Sequence, residues 1–137
     1  MELTWTLRTP SKFTARIDSG TIREQLTAAM LLWEKKSALK FTEVHKDSKD
    51  VDIYVDFVKG NHGDSYPFDG KGRTLAHAFY PGEGIGGDMH FDDEDSFVHH
   101  YSRDKGNSLL ITAAHELGHS LGKFFSLSRS IFIYLSI

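Results

Sequence analysis

Leu3, Trp5 and Leu7 alternate with polar neighbours, the two-residue period of a strand with one buried face. The period then lengthens. After Asp18-Ser19-Gly20, a helix-start signal, Ile22, Leu26, Ala29 and Trp33 recur at three- and four-residue spacing and predict a helix. Strand patterns return at residues 41–44, 51–58, 74–79 and 88–91, with glycine-rich loops between them. A last helix is expected to begin near Asn107 or Ser108. In it Leu110, Ala114, Leu117 and Leu121 form one apolar stripe at about 100° per residue. Such an order of elements suits an α/β sandwich.

Composition narrows the classes. A chain of 137 residues, 39% hydrophobic and 26% charged, suits one globular domain with a sizeable core. The net charge of −3 offers no basic footprint for nucleic acid. No apolar run approaches the roughly 20 residues that a membrane helix needs, so no membrane span is expected. There are no cysteines, hence no disulfide and no thiolate metal ligand.

The candidate chemistry starts on the last helix, which carries His115-Glu116-Leu117-Gly118-His119. At i and i+4 the two histidines occupy neighbouring turns, roughly opposite the apolar stripe, where both can meet one Zn²⁺ at about 2.0–2.1 Å. Glu116 points about 100° further round the helix and can act on a water as a general base without ligating the metal. A polar helix face with two chance histidines would look the same over five residues. The middle of the chain adds His62, Asp64, His77 and His90, nitrogen and oxygen donors that suit a closed tetrahedral zinc site. Carboxylates and glycines around them suit calcium, which takes six to eight oxygens, although Asp92-Asp93-Glu94-Asp95 alone would read as a solvated acidic loop.

Longer motifs carry a resemblance. Asn61-His62-Gly63-Asp64-Ser65-Tyr66-Pro67-Phe68-Asp69-Gly70-Lys71-Gly72, Leu75-Ala76-His77-Ala78-Phe79 and Gly84-Ile85-Gly86-Gly87-Asp88-Met89-His90-Phe91-Asp92 resemble the catalytic domain of the matrix metalloproteinases, the matrixins of the metzincin clan. The similarity runs from about Leu3 to Gly122. It implies a twisted five-stranded mixed sheet, mostly parallel, with a long helix after the first strand and a zinc-binding helix. It also implies a zinc endopeptidase acting on extended protein or peptide substrates, in an extracellular, secreted or matrix location.

By the same resemblance, His115 and His119 hold catalytic zinc, with Glu116 as the general base. His62, Asp64, His77 and His90 hold structural zinc. One Ca²⁺ site would use Asp69, Asp92 and Asp95 (or Glu94 in its place) with carbonyls of Gly70, Gly72 and Thr74. A second would combine Asp52 and Asp88 with carbonyls of Gly84 and Gly86. The edge strand would bind substrate near the Ala76 carbonyl, and Ile111 would line the specificity pocket. His45, His99 and His100 match nothing in the family and are expected to be solvated.

The chain departs from the family pattern after Gly122. Phe125 stands where the third zinc histidine is expected, and the methionine turn has no counterpart, since the methionines are Met1, Met30 and Met89. The expected division is therefore a catalytic domain over 1–122 lacking its C-terminal subdomain, and an unrelated hydrophobic tail over 123–137. Gly122-Lys123-Phe124 can be encoded across a splice-donor-like sequence, so the tail reads as translated intron or a truncated gene product. The alternative function is a catalytically impaired, metal-loaded pseudoenzyme. Residues 124–137 hold nine apolar residues, one charge and no proline, an aggregation-prone composition. Deleting residues 123–137 is expected to leave soluble yield unchanged or higher; a marked fall would show that they belong to the core.

Overall fold

The computed structural model of this chain describes residues 1–13 and 16–122, so Phe125 and the 123–137 segment lie outside the described residues. Strand β1 (Glu2–Thr9) leads to helix α1 (Ser19–Glu34), followed by β2 (Lys40–Glu43), β3 (Ile53–Val58), β4 (Ala76–Ala78) and β5 (Met89–Asp92). Two short strands, β6 (Phe97–Val98) and β7 (Asn107–Ser108), precede helix α2 (Leu109–Ser120). The five longer-range strands form one sheet in the order β2-β1-β3-β5-β4. Every pairing in it is parallel except β4 with β5, the mixed, mostly parallel sheet expected.

Strand alternation sorts the side chains between the two faces of this sheet. Trp5, Leu7, Ile53, Val55, Phe57, Met89 and Phe91 are buried in one core with Ile22, Leu26, Ala29 and Met30 of α1 and Leu109, Ala113 and Leu117 of α2. Phe57 and Phe91 stack at 5.0 Å between ring centroids, and Phe97 meets both edge-on. The other face carries Asp56 and His90, register partners on β3 and β5, and His77, paired with His90 from β4. One face of the sheet is thus core, and the other is available for polar chemistry.

Both helices begin where the chain supplies a side-chain acceptor. Asp18 accepts the Thr21 amide at 2.8 Å, and Ser108 accepts the Ile111 amide at 3.3 Å, each replacing a backbone partner missing from the first turn. Helix α2 closes through Gly122, whose φ of +75° suits glycine and whose amide reaches the His119 carbonyl at 2.9 Å. The helices are tied together by the Trp33 indole, which donates to the Ala114 carbonyl at 2.9 Å.

Several expected boundaries shift. The edge strand pairs over Ala76–Ala78 rather than 74–79, although the Asp92 amide still bonds the Leu75 carbonyl and the Phe79 amide the Asp88 carbonyl. Strand β3 starts at Ile53 rather than 51, because the Asp52 amide is taken by the Thr4 hydroxyl. The buried stripe of α2 is centred on Leu109, Ala113 and Leu117, while Leu110 and Leu121 are only partly buried. The β6–β7 ladder has no signal in the sequence, since two residues per strand carry no period. Leu117 is fully buried beneath the histidine-bearing turns, so Leu117→Ala should cost about 2–5 kcal/mol. Chemical denaturation at fixed zinc and calcium concentrations checks this.

Candidate metal centres and the histidine helix

Four side chains converge on the polar face of the sheet. His62, Asp64, His77 and His90 each offer one donor atom, all within 4.8 Å of one another, the one such set of three or more found among the described residues. His62 Nε2, His77 Nε2 and His90 Nδ1 lie 2.8, 3.1 and 2.9 Å from Asp64 Oδ2. His77 Nε2 lies 3.4 Å from His62 Nε2 and 3.1 Å from His90 Nδ1. Donors about 2.0–2.1 Å from a tetrahedral metal stand about 3.3 Å apart, so the cluster is sized for zinc.

Outer contacts leave the inward lone pairs available. His62 Nδ1 donates to the Gly60 carbonyl at 2.8 Å, which puts its proton on the outer nitrogen, and Asp64 Oδ1 accepts the Tyr66 amide at 2.7 Å, leaving Oδ2 to the cluster. Burial holds His77 and His90 below the usual histidine range, favouring the neutral, ligating form. Burial opposes ionisation of Asp64, but the Tyr66 amide and the neighbouring histidines outweigh it and hold its carboxyl below the usual range. Phe68 stacks on both His62 and His77 at 4.8 and 4.7 Å, and Phe79 packs 5.5 Å from His77 and from His90. Aromatic rings therefore flank the three histidines.

Carboxylates gather beside this cluster. Asp92 is fully buried and Asp95 nearly so; Asp92 Oδ1 accepts the Glu94 amide and Asp95 Oδ1 the Gly72 amide. Their Oδ2 atoms are buried without a hydrogen-bond partner. Burial raises the Asp92 carboxyl, and the charges of Asp95, Glu94 and exposed Asp69 raise it further. Two orphaned carboxylate oxygens facing like charges fit a hard cation. Glu94 Oε2 also approaches Gly70, 3.7 Å from where a Cβ would stand. Gly70 and Gly72 have positive φ, and Thr74 is exposed in the same loop.

The second calcium set lies where Asp52 meets the Gly84–Asp88 loop. Asp52 Oδ2 accepts the Thr4 amide and hydroxyl at 2.7 and 2.8 Å. Gly87, at φ +89°, lies so close that a Cβ would stand 2.8 Å from the Asp52 carbonyl. Burial pushes the Asp88 carboxyl up to about 6, against the Tyr54 amide bonded to Oδ1 at 3.0 Å. Gly84 and Gly86 lie in the turn between Pro81 and Asp88.

On α2 the Nε2 atoms of His115 and His119 stand 3.2 Å apart on a partly exposed face, close enough to share one ion. Burial, then the neighbouring His119, lowers the pKa of His115. Glu116 between them is only 7% exposed, and burial pushes its carboxyl up to about 7, suited to accepting and returning protons near neutrality. Ala76 lies in β4, the outer strand of the sheet, and Ile111 in the first turn of α2, one turn before His115. Tyr80 meets the His119 ring edge-on at 6.1 Å. His45 is solvated as expected. His99 faces Glu24 at 3.3 Å, and His100 is partly buried, its ring 2.9 Å from the Ser108 hydroxyl.

A mixed sheet backed by a helix with paired histidines and a buried glutamate is the framework of a metallopeptidase domain. The chain belongs to the matrixin family, whose peptidase description matches residues 1–137. It is 44% identical to mouse matrix metalloproteinase-25 over 121 residues, which is 88% of this chain and 20% of that protein. It is 41% identical to human matrix metalloproteinase-20 over 90% of this chain and 25% of the relative. With rat macrophage metalloelastase it shares 49% identity over 69% of this chain and 19% of the relative. The chain spans a fifth to a quarter of the length of these relatives. Matrixin membership implies zinc, and metal analysis of the folded protein should find it. His77→Ala should remove the share held by the four-donor cluster; unchanged zinc content would rule that cluster out.

Proposed function

We propose that this domain is a zinc-dependent metalloendopeptidase of matrixin type, hydrolysing peptide bonds of extracellular-matrix or other extracellular proteins. The observation that carries the reading is the pair of Nε2 atoms 3.2 Å apart on α2 with the buried Glu116 between their residues. Zinc at His115 and His119 would supply Lewis acidity, polarising a scissile carbonyl and acidifying water. Glu116 takes a proton from the attacking water and returns one to the leaving amine; a carboxyl raised towards neutrality by burial suits both directions. Strand β4 has β5 on one side only, so an extended peptide can add to its outer edge near Ala76. Ile111, on the same face of α2 as His115, lines the pocket beside the cleaved bond. The His62, Asp64, His77 and His90 zinc centre and calcium at Asp92 and Asp95 hold the glycine-rich loops around that edge.

Phe125 favours a second reading. A phenyl ring offers no lone pair where the family motif has a third histidine, and two histidines make a weaker site than the three protein ligands usual in catalytic zinc centres. The chain would then be a metal-loaded domain that docks peptides with impaired cleavage. Assaying the full chain with zinc, calcium and a fluorogenic peptide separates the two. On the first reading, Glu116→Gln lowers kcat by about 10²–10⁴-fold with zinc content unchanged. Peptide binding with no turnover supports the second, and neither binding nor turnover defeats both.

A further inference from the structure

Asp56 is 3% exposed, an ionisable residue in the middle of a strand whose other face is core. A carboxylate there is costly unless paired and hydrogen-bonded. Its Oδ1 accepts Arg8 Nε at 3.0 Å and the Thr9 hydroxyl at 2.7 Å, and its Oδ2 accepts Arg8 Nη2 at 2.5 Å. Arg8 is itself held, its guanidinium 4.3 Å above the Tyr54 ring and 4.0 Å from Asp88. The fixed carboxylate also reaches the donor cluster: Oδ2 lies 3.7 Å from His90 Nε2.

We propose, on the zinc reading of the four-donor cluster, that Asp56 is a positioning residue for His90, clamped in place by Arg8. Strand register creates the arrangement. Asp56 pairs with His90 across β3 and β5, and His90 pairs with His77 across β5 and β4, so charge and ligands share one row across the sheet. His90 faces the cluster through Nδ1, 2.9 Å from Asp64 and 3.1 Å from His77. Its proton in the ligating form is therefore on Nε2, the nitrogen nearest Asp56. At 3.7 Å the contact is too long for a hydrogen bond and acts through charge. A negative charge on that side favours the Nε2–H form and opposes the flipped ring, which would turn a carbon into the cluster. Outer carboxylates of this kind tune metal affinity without touching the metal. Asp56 has no place in the peptide-cleaving machinery, and its effect reaches the metal only through His90.

The test is zinc affinity by chelator competition, with ring ¹⁵N–¹H spectra of the zinc-loaded full chain. Asp56→Asn should weaken the cluster's zinc binding by about 10–100-fold and shift the His90 Nε2 resonance. Arg8→Gln, which keeps the carboxylate beside His90, should weaken it less. Unchanged affinity and spectra in Asp56→Asn would overturn the role, as would an equal loss in Arg8→Gln, which would mark a merely structural clamp. Should Asp56→Asn fail to fold, a His90 proton on Nδ1 in the wild-type spectrum would still overturn the proposal. Wild-type protein that took up no zinc would defeat the metal-centre reading itself, and the positioning role with it.

Discussion

The parallel pairing of β3 with β5 is the constraint on which the site depends. It puts Val55 and Phe57 beside Met89 and Phe91 on the helix-covered face, all nearly or fully buried. Because successive strand residues point to opposite sides, the same register places Asp56 beside His90 on the other face. A slip of one residue would send histidine and aspartate into the apolar core and phenylalanine into the donor cluster. Hydrophobic burial therefore sets the register, and the register sets where the donors stand.

Helix α2 shows the same coupling in another geometry. Leu109, Ala113 and Leu117 anchor it to the core, Trp33 fastens its middle to α1, and the turn between leaves His115 and His119 partly exposed with their nitrogens facing. Glu116 lies on the flank between core and solvent, which accounts for both its burial and its raised pKa. One helical period divides anchoring from chemistry.

Polar contacts help to shape the loops around β4 and β5. Phe68 packs on two histidines rather than on the main core, and the Asp92 and Asp95 carboxylates each keep a buried oxygen without a hydrogen-bond partner. Like charges facing each other under a protein surface oppose the closed loop unless a cation lies between them. On the proposed reading, bound ions are structural members of this edge and hold the strand to which a peptide would add.

Read alone, the sequence determined the strand and helix periods, the His-Glu-Leu-Gly-His spacing and the family, because each is written in residues close together in the chain. The four-donor cluster was legible for the same reason: long motifs around His62, His77 and His90 carry it even though the residues come from a loop and two strands. Tertiary structure alone decided which nitrogen each histidine turns inward, that Asp52 Oδ2 accepts from Thr4, and that His100 joins the α2 cap. It also revealed Arg8 and Asp56, although a lone aspartate within the apolar Ile53–Val58 strand was a visible signal of a buried partner. Those facts depend on pairing between strands distant in sequence. A local period reports which face a side chain takes, and only the register between strands reports what it meets there.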